Sequence, residues 1–341
     1  MQDPELPFLI DRGDRRDGTI SARAPHLRGH GHGTPSFGAG LSCPESVSKC
    51  ENRGDGEGLS RPVGVAWSAG WFAVGAGLAI ANHARHRLLG YGRPRAFGPG
   101  DLERTVEHVV GVVDRWRRSG LKPRDRRILE VGPGPDLGTG FALIAIGAAS
   151  YTAVDRYPLV RENTALYAAL GDRLGADVAA TRRRMPYVVG TMPITGVSPG
   201  FDAFVSNAAL EHVPDVAGTL AWLQSLAAPG AIHVHLVDAQ THMRWVRPRD
   251  PWNILRYPDW LYRLMAFPGA PNRLLASDYL AEAQRVGLGF SVLTEKRADV
   301  EYVRSIQPFL AAPFRHRLEP DLSSLTFTLV GGAVAAEDVR A

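Results

Sequence analysis

Cysteine is nearly absent from this chain, with two among 341 residues. Both of them, Cys43 and Cys50, lie in a polar stretch rich in glycine and serine. A disulfide framework or a cysteine-ligated zinc cluster needs more cysteines at closer spacing, so the sequence favours neither. The lack of cysteine elsewhere fits a reducing compartment, and we expect a cytoplasmic protein.

Long basic tracts are also missing. The chain has 39 Lys and Arg residues against 35 Asp and Glu residues, and the net charge of +4 is scattered or carried in short runs such as 182–184. Proteins that bind nucleic acid usually concentrate basic residues on one face. The sequence therefore disfavours a nucleic-acid partner, and it does not indicate an oligomeric state.

Residues 1–60 contain few large apolar side chains and no hydrophobic periodicity. Such a segment cannot bury enough apolar surface to offset the entropy of ordering, which predicts a disordered tail. Its histidines, His26, His30 and His32, could bind a metal ion adventitiously, although a flexible tail is the simpler interpretation. A second, short tail is predicted at 334–341.

Residues 63–82 carry no charged side chain, and a basic cluster follows directly. The run is long enough to span a bilayer, and the basic cluster lies where a cytosolic flank would lie. The run is rich in Ala and Gly, however, so it could equally be a helix packed on the core or one lying at the membrane interface. We assign residues 61–100 to an apolar N-terminal segment and loop. All three interpretations stay open, including peripheral membrane contact through residues 63–82.

Strand and helix patterns alternate through residues 101–333. This alternation predicts a Rossmann-like, doubly wound α/β fold with a mostly parallel sheet. Two late strands joined without a clear helix predict an antiparallel edge, and Ser277 is the expected N-cap of the helix before them. The predicted strands are 127–131, 151–154, 187–189, 201–206, 231–237, 288–293 and 325–330, and the predicted helices are 102–116, 137–147, 162–174, 215–226 and 277–286.

The segment ILEVGPGPDLGTG, residues 128–140, joins the first predicted strand to the following helix. Gly132 and Gly134 allow a ligand to approach the main chain closely. Asp155 ends the second strand 21 positions after Gly134, where an acid accepts hydrogen bonds from ribose hydroxyls. These features predict a ligand that contains a nucleoside.

The same turn lacks the G-x-G-x-x-G spacing of dinucleotide-binding proteins. Pro133 and Pro135 have no amide N–H for a pyrophosphate, and the Glu130 carboxylate would repel phosphates. A carboxylate at this place suits a ligand with an ammonium group instead. S-adenosylmethionine has an ammonium group, a ribose and an adenine, and it has no phosphate, so we expect it as the cofactor.

Four segments in order, ILEVGPGPDLGTG, YTAVD, FDAFVSNAALEHVPD and LAAPGAIHVHLVD, resemble the successive motifs of class I S-adenosylmethionine-dependent methyltransferases. The type 11 branch is the most similar, and the resemblance covers about residues 100–330. It implies a seven-stranded sheet with an antiparallel last strand. It also implies cofactor-binding roles for matching positions, namely Glu130, Gly132, Pro133, Gly134, Asp155, Arg156, Asn207 and Ala208.

The chain departs from the family pattern at two places. The residues PDL lengthen the first turn between Gly134 and Gly138, which predicts a wider loop. After the third strand the family usually places an acid near the adenine amine, whereas this chain reads YVVGTMPIT. We expect Met192 and its neighbours to contact the adenine through backbone or apolar atoms instead.

The chemistry is expected at the ends of the fourth and fifth strands. His212 could take a proton from a hydroxyl, because histidine titrates near neutral pH, although Glu211 and His212 could also merely shape the turn. Asp238 and His242 are candidates for binding the acceptor or for acting as a base. Together, His233, His235, Asp238 and His242 would suit zinc or iron. A metal site is not expected, however, since histidines on a strand are more often hydrogen-bonded structural residues.

An insertion at 243–275 is rich in Trp, Tyr and Arg. Aromatic side chains stack on rings or sugars and arginines bind anionic groups, so the insertion could cover the acceptor like a lid. A hydrophobic plug against the helix at 102–119, or an oligomer contact, fits the composition equally well.

The sequence thus predicts a methyltransferase acting on a small-molecule or glycan acceptor, with a hydroxyl as the expected target. A nicotinamide-dependent oxidoreductase on the same sheet is the alternative enzyme, and Glu130, the glycine spacing and SNAALEH argue against it. A cofactor-binding partner protein without catalysis is the third hypothesis.

Overall fold

A central seven-stranded sheet organises the computed structural model, which describes residues 64–88 and 100–334. The predicted tail at 1–60, the loop before residue 100 and residues 335–341 lie outside the described residues. The strands are β1 (Arg127–Val131), β2 (Ser150–Asp155), β3 (Tyr187–Val189), β4 (Phe201–Asn207), β5 (Ala227–Asp238), β6 (Leu288–Arg297) and β7 (Ser324–Ala333).

Helices precede and connect these strands. The longer ones are α1 (Val65–Leu88), α2 (Leu102–Arg118), α3 (Gly138–Ala145), α4 (Thr164–Leu174), α6 (Val216–Ser225) and α8 (Ala276–Arg285). The shorter ones are α5 (Val178–Arg182), α7 (Asp259–Met265), α9 (Val300–Ile306), α10 (Ala312–Arg315) and α11 (Glu319–Ser323), with single 3-10 turns at Leu210–His212, Asn253–Arg256 and Gln307–Phe309.

The strand order is β3-β2-β1-β4-β5-β7-β6. Strands β1 to β5 pair in parallel, and β7 runs antiparallel to both β5 and β6. The predicted fold class, a Rossmann-like doubly wound and mostly parallel sheet with an antiparallel late strand, is therefore confirmed. The order reverses between β1 and β4, and in such sheets this point opens a crevice at the carboxyl ends of the strands.

Two hydrophobic cores lie on opposite faces of the sheet. On one face, apolar side chains of α2, α3 and α4, such as Trp116, Phe141 and Leu170, pack against β1 and β2. On the other face, α6, α8 and α9 contribute side chains such as Leu220 and Tyr279. Both faces are covered, which accounts for the nearly continuous apolar sequence of the inner strands.

Residues 65–82 of the uncharged run form most of α1, which packs on the insertion at 243–275. Gly75 allows this close approach, because a Cβ there would overlap the side chains of Asn253 and Tyr257. Asn253 Nδ2 also donates to the carbonyl of Trp71 at 3.0 Å. One face of α1 therefore packs on the body of the protein, as one of the open interpretations expected. Within the described ranges we find no helix with the length and apolar character to cross a bilayer.

A buried ion pair holds α1 against the insertion. Arg256 Nη1 lies 2.6 Å from Asp250 Oδ2, and both side chains are almost fully buried. Asp250 Oδ1 accepts a hydrogen bond from Tyr302 at 2.7 Å, and Arg256 Nη2 donates to Ser68 Oγ at 2.5 Å. The pair thereby connects α1, the insertion and α9 in one polar network.

The predicted helix at 215–226 agrees with α6, and Pro229 and Gly230 lie in the start of β5, where the pairing with β4 shifts register. One local expectation was wrong, because Ser277 does not cap α8. The cap position is Leu275, whose amide donates to the Asp278 carboxylate, because the Ser277 hydroxyl is engaged by Asp321 of α11.

Removing one partner of the buried pair should destabilise the protein strongly. We expect Arg256→Ala to lower the free energy of unfolding by about 3–5 kcal/mol, since it leaves the Asp250 carboxylate buried without its charge partner. Urea denaturation followed by circular dichroism measures the change. Arg285→Ala, which removes an exposed pair with Glu282, is the control and should cost less than about 1 kcal/mol. Equal effects of the two substitutions would contradict the role given to the network.

Candidate active site

A cavity of about 690 Å³ opens at the carboxyl ends of β1, β2, β4 and β5. Its size falls within the range typical of ligand and cofactor pockets. Its wall includes every position that the sequence analysis assigned to a cofactor or acceptor site: Glu130, Gly132, Pro133, Gly134, Asp155, Arg156, Met192, Asn207, Ala208, His212, Asp238 and His242. The fold thus brings residues from the ends of five strands, β1 to β5, into one space.

The turn after β1 depends on glycine at two positions. Gly132 and Gly134 have φ values of +67° and +82°, a region that residues with a Cβ rarely adopt. A Cβ at Gly132 would also lie 2.7 Å from the Cβ of Ala209, which follows β4. The main chain of this turn is therefore exposed to the cavity without side chains in the way.

Glu130 places a buried carboxyl group at the end of β1. Its Oε2 accepts hydrogen bonds from Thr139 at 2.6 Å and from Tyr151 at 2.5 Å. Burial raises the pKa of Glu130 to about 7, although these two hydrogen bonds oppose the shift. The group is consequently poised between its neutral and ionised forms, and a cation in the cavity would favour the ionised form.

Asp155 ends β2 and lines the cavity with a second carboxyl group. Its Oδ1 accepts a hydrogen bond from the amide of Tyr157 at 2.9 Å, and burial raises its pKa. The adjacent Arg156 guanidinium lies 5.6 Å from the ring centroid of Tyr157. Met192 follows β3 and packs against the core beside the cavity. The site therefore offers apolar Met192 where the family pattern has an acid.

The end of β4 adds a polar atom that lacks a partner. Asn207 Oδ1 is buried and has no hydrogen bond to any residue that the structure describes. The next residue, Ala208, has a φ of +52°, and such strained backbone is concentrated at functional sites. An unpaired buried acceptor beside a strained turn is the arrangement expected where a ligand completes the hydrogen bonding.

The acceptor end of the cavity contains His212, Asp238 and His242. The two imidazole rings have centroids 4.8 Å apart. Burial lowers the pKa of His212, and burial together with the neighbouring His212 lowers the pKa of His242 to about 4. Both rings are therefore neutral at pH 7 and can accept a proton. Asp238 Oδ2 lies 2.7 Å from Arg247 Nη1, so this carboxylate is already paired.

Glu211 was not among the catalytic candidates, yet its side chain is fully buried and lies beside His242. Its Oε1 accepts a hydrogen bond from the Asp238 amide at 3.2 Å, while Oε2 has no partner among the described residues. Burial and the nearby Asp238 raise the pKa of Glu211 well above its ordinary value. The spacing of LEH after β4 was visible in the sequence, but the proximity of His242 was not.

His233 and His235 lie away from the cavity. His235 Nδ1 is 3.0 Å from Ser206 Oγ, and His233 Nδ1 is 3.2 Å from His235 Nε2. Both side chains are fully buried, and the ring of His233 stacks on Phe204. These strand histidines are structural and do not share a site with Asp238 and His242.

Helices α1 and α2 and the insertion complete the wall of the cavity. The sequence did not predict this place for α1. The insertion contributes Tyr257, Tyr262 and the stretch 265–267 among others, and α1 contributes Asn82 and residues near it. The two elements are joined by a hydrogen bond between His83 Nδ1 and the carbonyl of Ala266 at 2.8 Å. The insertion therefore packs against α1 and also lines the site.

Comparison with known proteins agrees with this geometry. A family model described as a methyltransferase domain matches residues 104–288, which is more than half of the chain. No curated protein matches the sequence significantly. The chain therefore belongs to the methyltransferase domain family. It is a class I S-adenosylmethionine-dependent enzyme, and the type 11 branch is consistent with the match.

Solved structures similar to this chain include several methyltransferases of low sequence identity. One is the complex between the Haloferax volcanii Trm112 methyltransferase activator and a putative methyltransferase, with 13% identity over 67% of this chain and 95% of that chain and a TM-score of 0.37. Another is a putative sarcosine dimethylglycine methyltransferase from Galdieria sulphuraria, with 12% identity, 74% and 97% coverage and a TM-score of 0.37. A third is Haemonchus contortus phosphoethanolamine N-methyltransferase 2 in complex with S-adenosyl-L-methionine, with 12% identity, 80% and 58% coverage and a TM-score of 0.41.

Replacing Asp155 should weaken cofactor binding. We expect Asp155→Ala to reduce the affinity for S-adenosylmethionine by roughly 1.5–3 kcal/mol, the value of a charge-assisted hydrogen bond. Asp155→Asn keeps one acceptor oxygen and should lose less. Isothermal titration calorimetry measures both, and an unchanged affinity for Asp155→Ala would refute the ribose-binding role.

Cofactor affinity should also depend on the ionisation of Glu130. Its carboxylate form attracts the ligand ammonium, and its pKa is raised to about 7, so the affinity should fall by roughly tenfold for each pH unit below that value. Titrations between pH 5.5 and 7.5 measure this slope. Glu130→Gln is the control and should bind weakly with little pH dependence, whereas an equally steep slope in this variant would assign the titration to another group.

Proposed function

We propose that this enzyme transfers the methyl group of S-adenosylmethionine to a hydroxyl group of a small-molecule or glycan acceptor held in the cavity. The observation that carries the proposal is the division of one cavity into two ends. Carboxyl groups and glycine backbone lie at the ends of β1 and β2, and neutral histidines lie at the ends of β4 and β5.

The residues at the first end fit the cofactor. The Glu130 carboxylate would face the ammonium group, and Asp155 would accept hydrogen bonds from the ribose hydroxyls. Gly132 and Gly134 leave backbone accessible, and Asn207 Oδ1 supplies a buried acceptor without another partner among the described residues. Pro133, Arg156, Met192 and Ala208 complete the wall around the cofactor.

The residues at the second end fit the acceptor. When bound, the cofactor supplies an electrophilic methyl group, whose bond to the acceptor oxygen forms as its bond to sulfur breaks and the electron pair stays on sulfur. His212 or His242, each neutral, accepts the proton that leaves the hydroxyl. Asp238, paired with Arg247, orients the acceptor. Holding donor and acceptor in line is the main contribution of such a site to the rate.

The remaining wall favours an acceptor with an apolar or ring-shaped body. Tyr257, Tyr262 and Phe267 line it together with Met265, and aromatic side chains stack on rings and sugars. The insertion at 243–275 covers this end and acts as the lid. The low cysteine content supports a cytoplasmic enzyme. The scattered basic residues support an enzyme without a nucleic-acid partner.

Cofactor choice tests the proposal first. Calorimetric titration should give saturable binding of S-adenosylmethionine and none of NAD or NADP. The carboxylate of Glu130 and the prolines of the turn disfavour a pyrophosphate. Saturable binding of NAD alone would overturn the proposal in favour of an oxidoreductase.

Loss of the proposed base should slow methyl transfer without weakening cofactor binding. Transfer of a labelled methyl group to a panel of phenols, hydroxylated small molecules and glycans identifies an acceptor. With that acceptor, His212→Asn should reduce kcat by roughly 10²–10⁴-fold, the usual contribution of general base catalysis. His316→Asn, at an exposed histidine, is the control. Full activity of His212→Asn, Asp238→Asn and His242→Asn would exclude these catalytic roles.

A further inference from the structure

Three side chains at the acceptor end of the cavity can each offer an electron pair to one point. Glu211 and His212 belong to the 3-10 turn after β4, and His242 belongs to the loop after β5. One donor atom from each lies within 4.8 Å of the others. Glu211 Oε1 and His242 Nε2 are 3.9 Å apart.

Two atoms of these residues that could bind a metal ion form no hydrogen bond with any described residue. The backbone of Gly269 near His212, and that of Gln240 near His242, raises the pKa of the respective ring against the effect of burial. His212 Nδ1 and Glu211 Oε2 are buried without a hydrogen-bond partner among the residues described. Buried polar atoms normally have partners, so these two atoms are available as metal ligands.

We propose that Glu211, His212 and His242 bind a divalent transition metal ion such as zinc. Zinc holds nitrogen and oxygen ligands at about 2.0–2.2 Å, which places tetrahedral ligands roughly 3.4 Å apart. The three donor atoms lie within 4.8 Å of one another, so the side chains would have to move closer by up to about 1.4 Å to reach this tetrahedral separation. Two imidazoles and one carboxylate form a common donor set for catalytic zinc with a fourth position open, whereas Mg²⁺ prefers a cage of oxygen atoms.

The charges around the three residues are compatible with a cation. Arg247 is the nearby positive charge that would oppose it, and Arg247 is paired with Asp238 at 2.7 Å. The Asp238 amide donates to Glu211 Oε1 and fixes the orientation of this carboxyl group. Glu211 has no described ion-pair partner closer than His242, whose Nε2 lies 3.9 Å from Glu211 Oε1. A bound cation would favour the ionised form of this carboxyl group.

A metal ion at this place would face the acceptor, since His212 and His242 both line the cavity. A divalent cation lowers the pKa of an oxygen that coordinates it. The two histidines would then act as ligands, and a coordinated acceptor hydroxyl would release its proton to solvent water more readily. This consequence rests on the proposed function, whereas binding of the metal itself does not.

Metal binding can be measured on the full chain without any acceptor. The histidine cluster near the N-terminus must first be removed as a binding site, so all measurements use a background with His26→Ala, His30→Ala and His32→Ala. After treatment with a chelator, titration with Zn²⁺ by calorimetry should show one equivalent bound. Titration with Co²⁺ should produce visible absorption bands of a low-coordinate complex, and Mg²⁺ should not compete.

Substitutions locate the bound ion. His242→Gln should weaken Zn²⁺ binding at least about tenfold, in the range found when groups that support a metal site are lost. Glu211→Gln should have the same effect. His108→Gln is the matched control, because His108 lines the same cavity from α2, and it should bind Zn²⁺ normally. Thermal unfolding and S-adenosylmethionine titration establish that each variant is folded.

The outcomes separate this inference from the proposed function. No Zn²⁺ or Co²⁺ binding in the triple-alanine background, or binding that survives both His242→Gln and Glu211→Gln, would overturn the metal site. In that case methyl transfer can still proceed with His212 or His242 as the base. Metal binding together with absent S-adenosylmethionine binding would instead overturn the proposed function and leave the metal site established.

Discussion

The buried carboxyl group of Glu130 is the constraint on which the rest of the site depends. It lies at the end of the central strand β1, and both hydroxyl groups that hold it come from neighbouring elements, Thr139 of α3 and Tyr151 of β2. Gly140 is required for this arrangement, because a Cβ there would overlap the Tyr151 ring. The glycines of the turn therefore serve two purposes. Gly132 and Gly134 open the backbone to the ligand, and Gly140 lets α3 approach closely enough to satisfy the carboxyl group.

A second polar network fixes the opposite wall of the cavity. Asp250 and Arg256 are buried in the insertion, and they connect it to α1 through Ser68 and to α9 through Tyr302. Burying such a pair gains little net stability compared with apolar residues, but it defines the relative position of the elements that share it. The wall that α1 and the insertion add to the acceptor end is therefore held in place by residues outside the sheet.

Much of the fold could be predicted from the sequence, because parallel strands and their following turns are encoded locally. The turn at Gly132 and the acid at Asp155 are recognisable by spacing, and the carboxyl ends of their strands necessarily meet at one edge of the sheet. Contacts between distant segments could not be predicted. His242 meets Glu211 only because the loop after β5 folds back over the turn after β4. Similarly, Arg256 resembles the other arginines of the insertion in sequence, and only the folded chain shows that it is buried.

The hydrogen bonds between α1 and the insertion have a consequence for the kinetics of the enzyme. Ser68, Trp71, Phe72 and His83 along α1 are each bonded to the insertion, so the two elements form one continuous roof over the acceptor. A roof joined along its length opens as a unit, and molecules must enter and leave either past its edge or during a concerted movement. Such movements are slow compared with side-chain motion and limit turnover in many enzymes. With the proposed function, release of a methylated product would then depend on how readily the hydrogen bonds between α1 and the insertion separate.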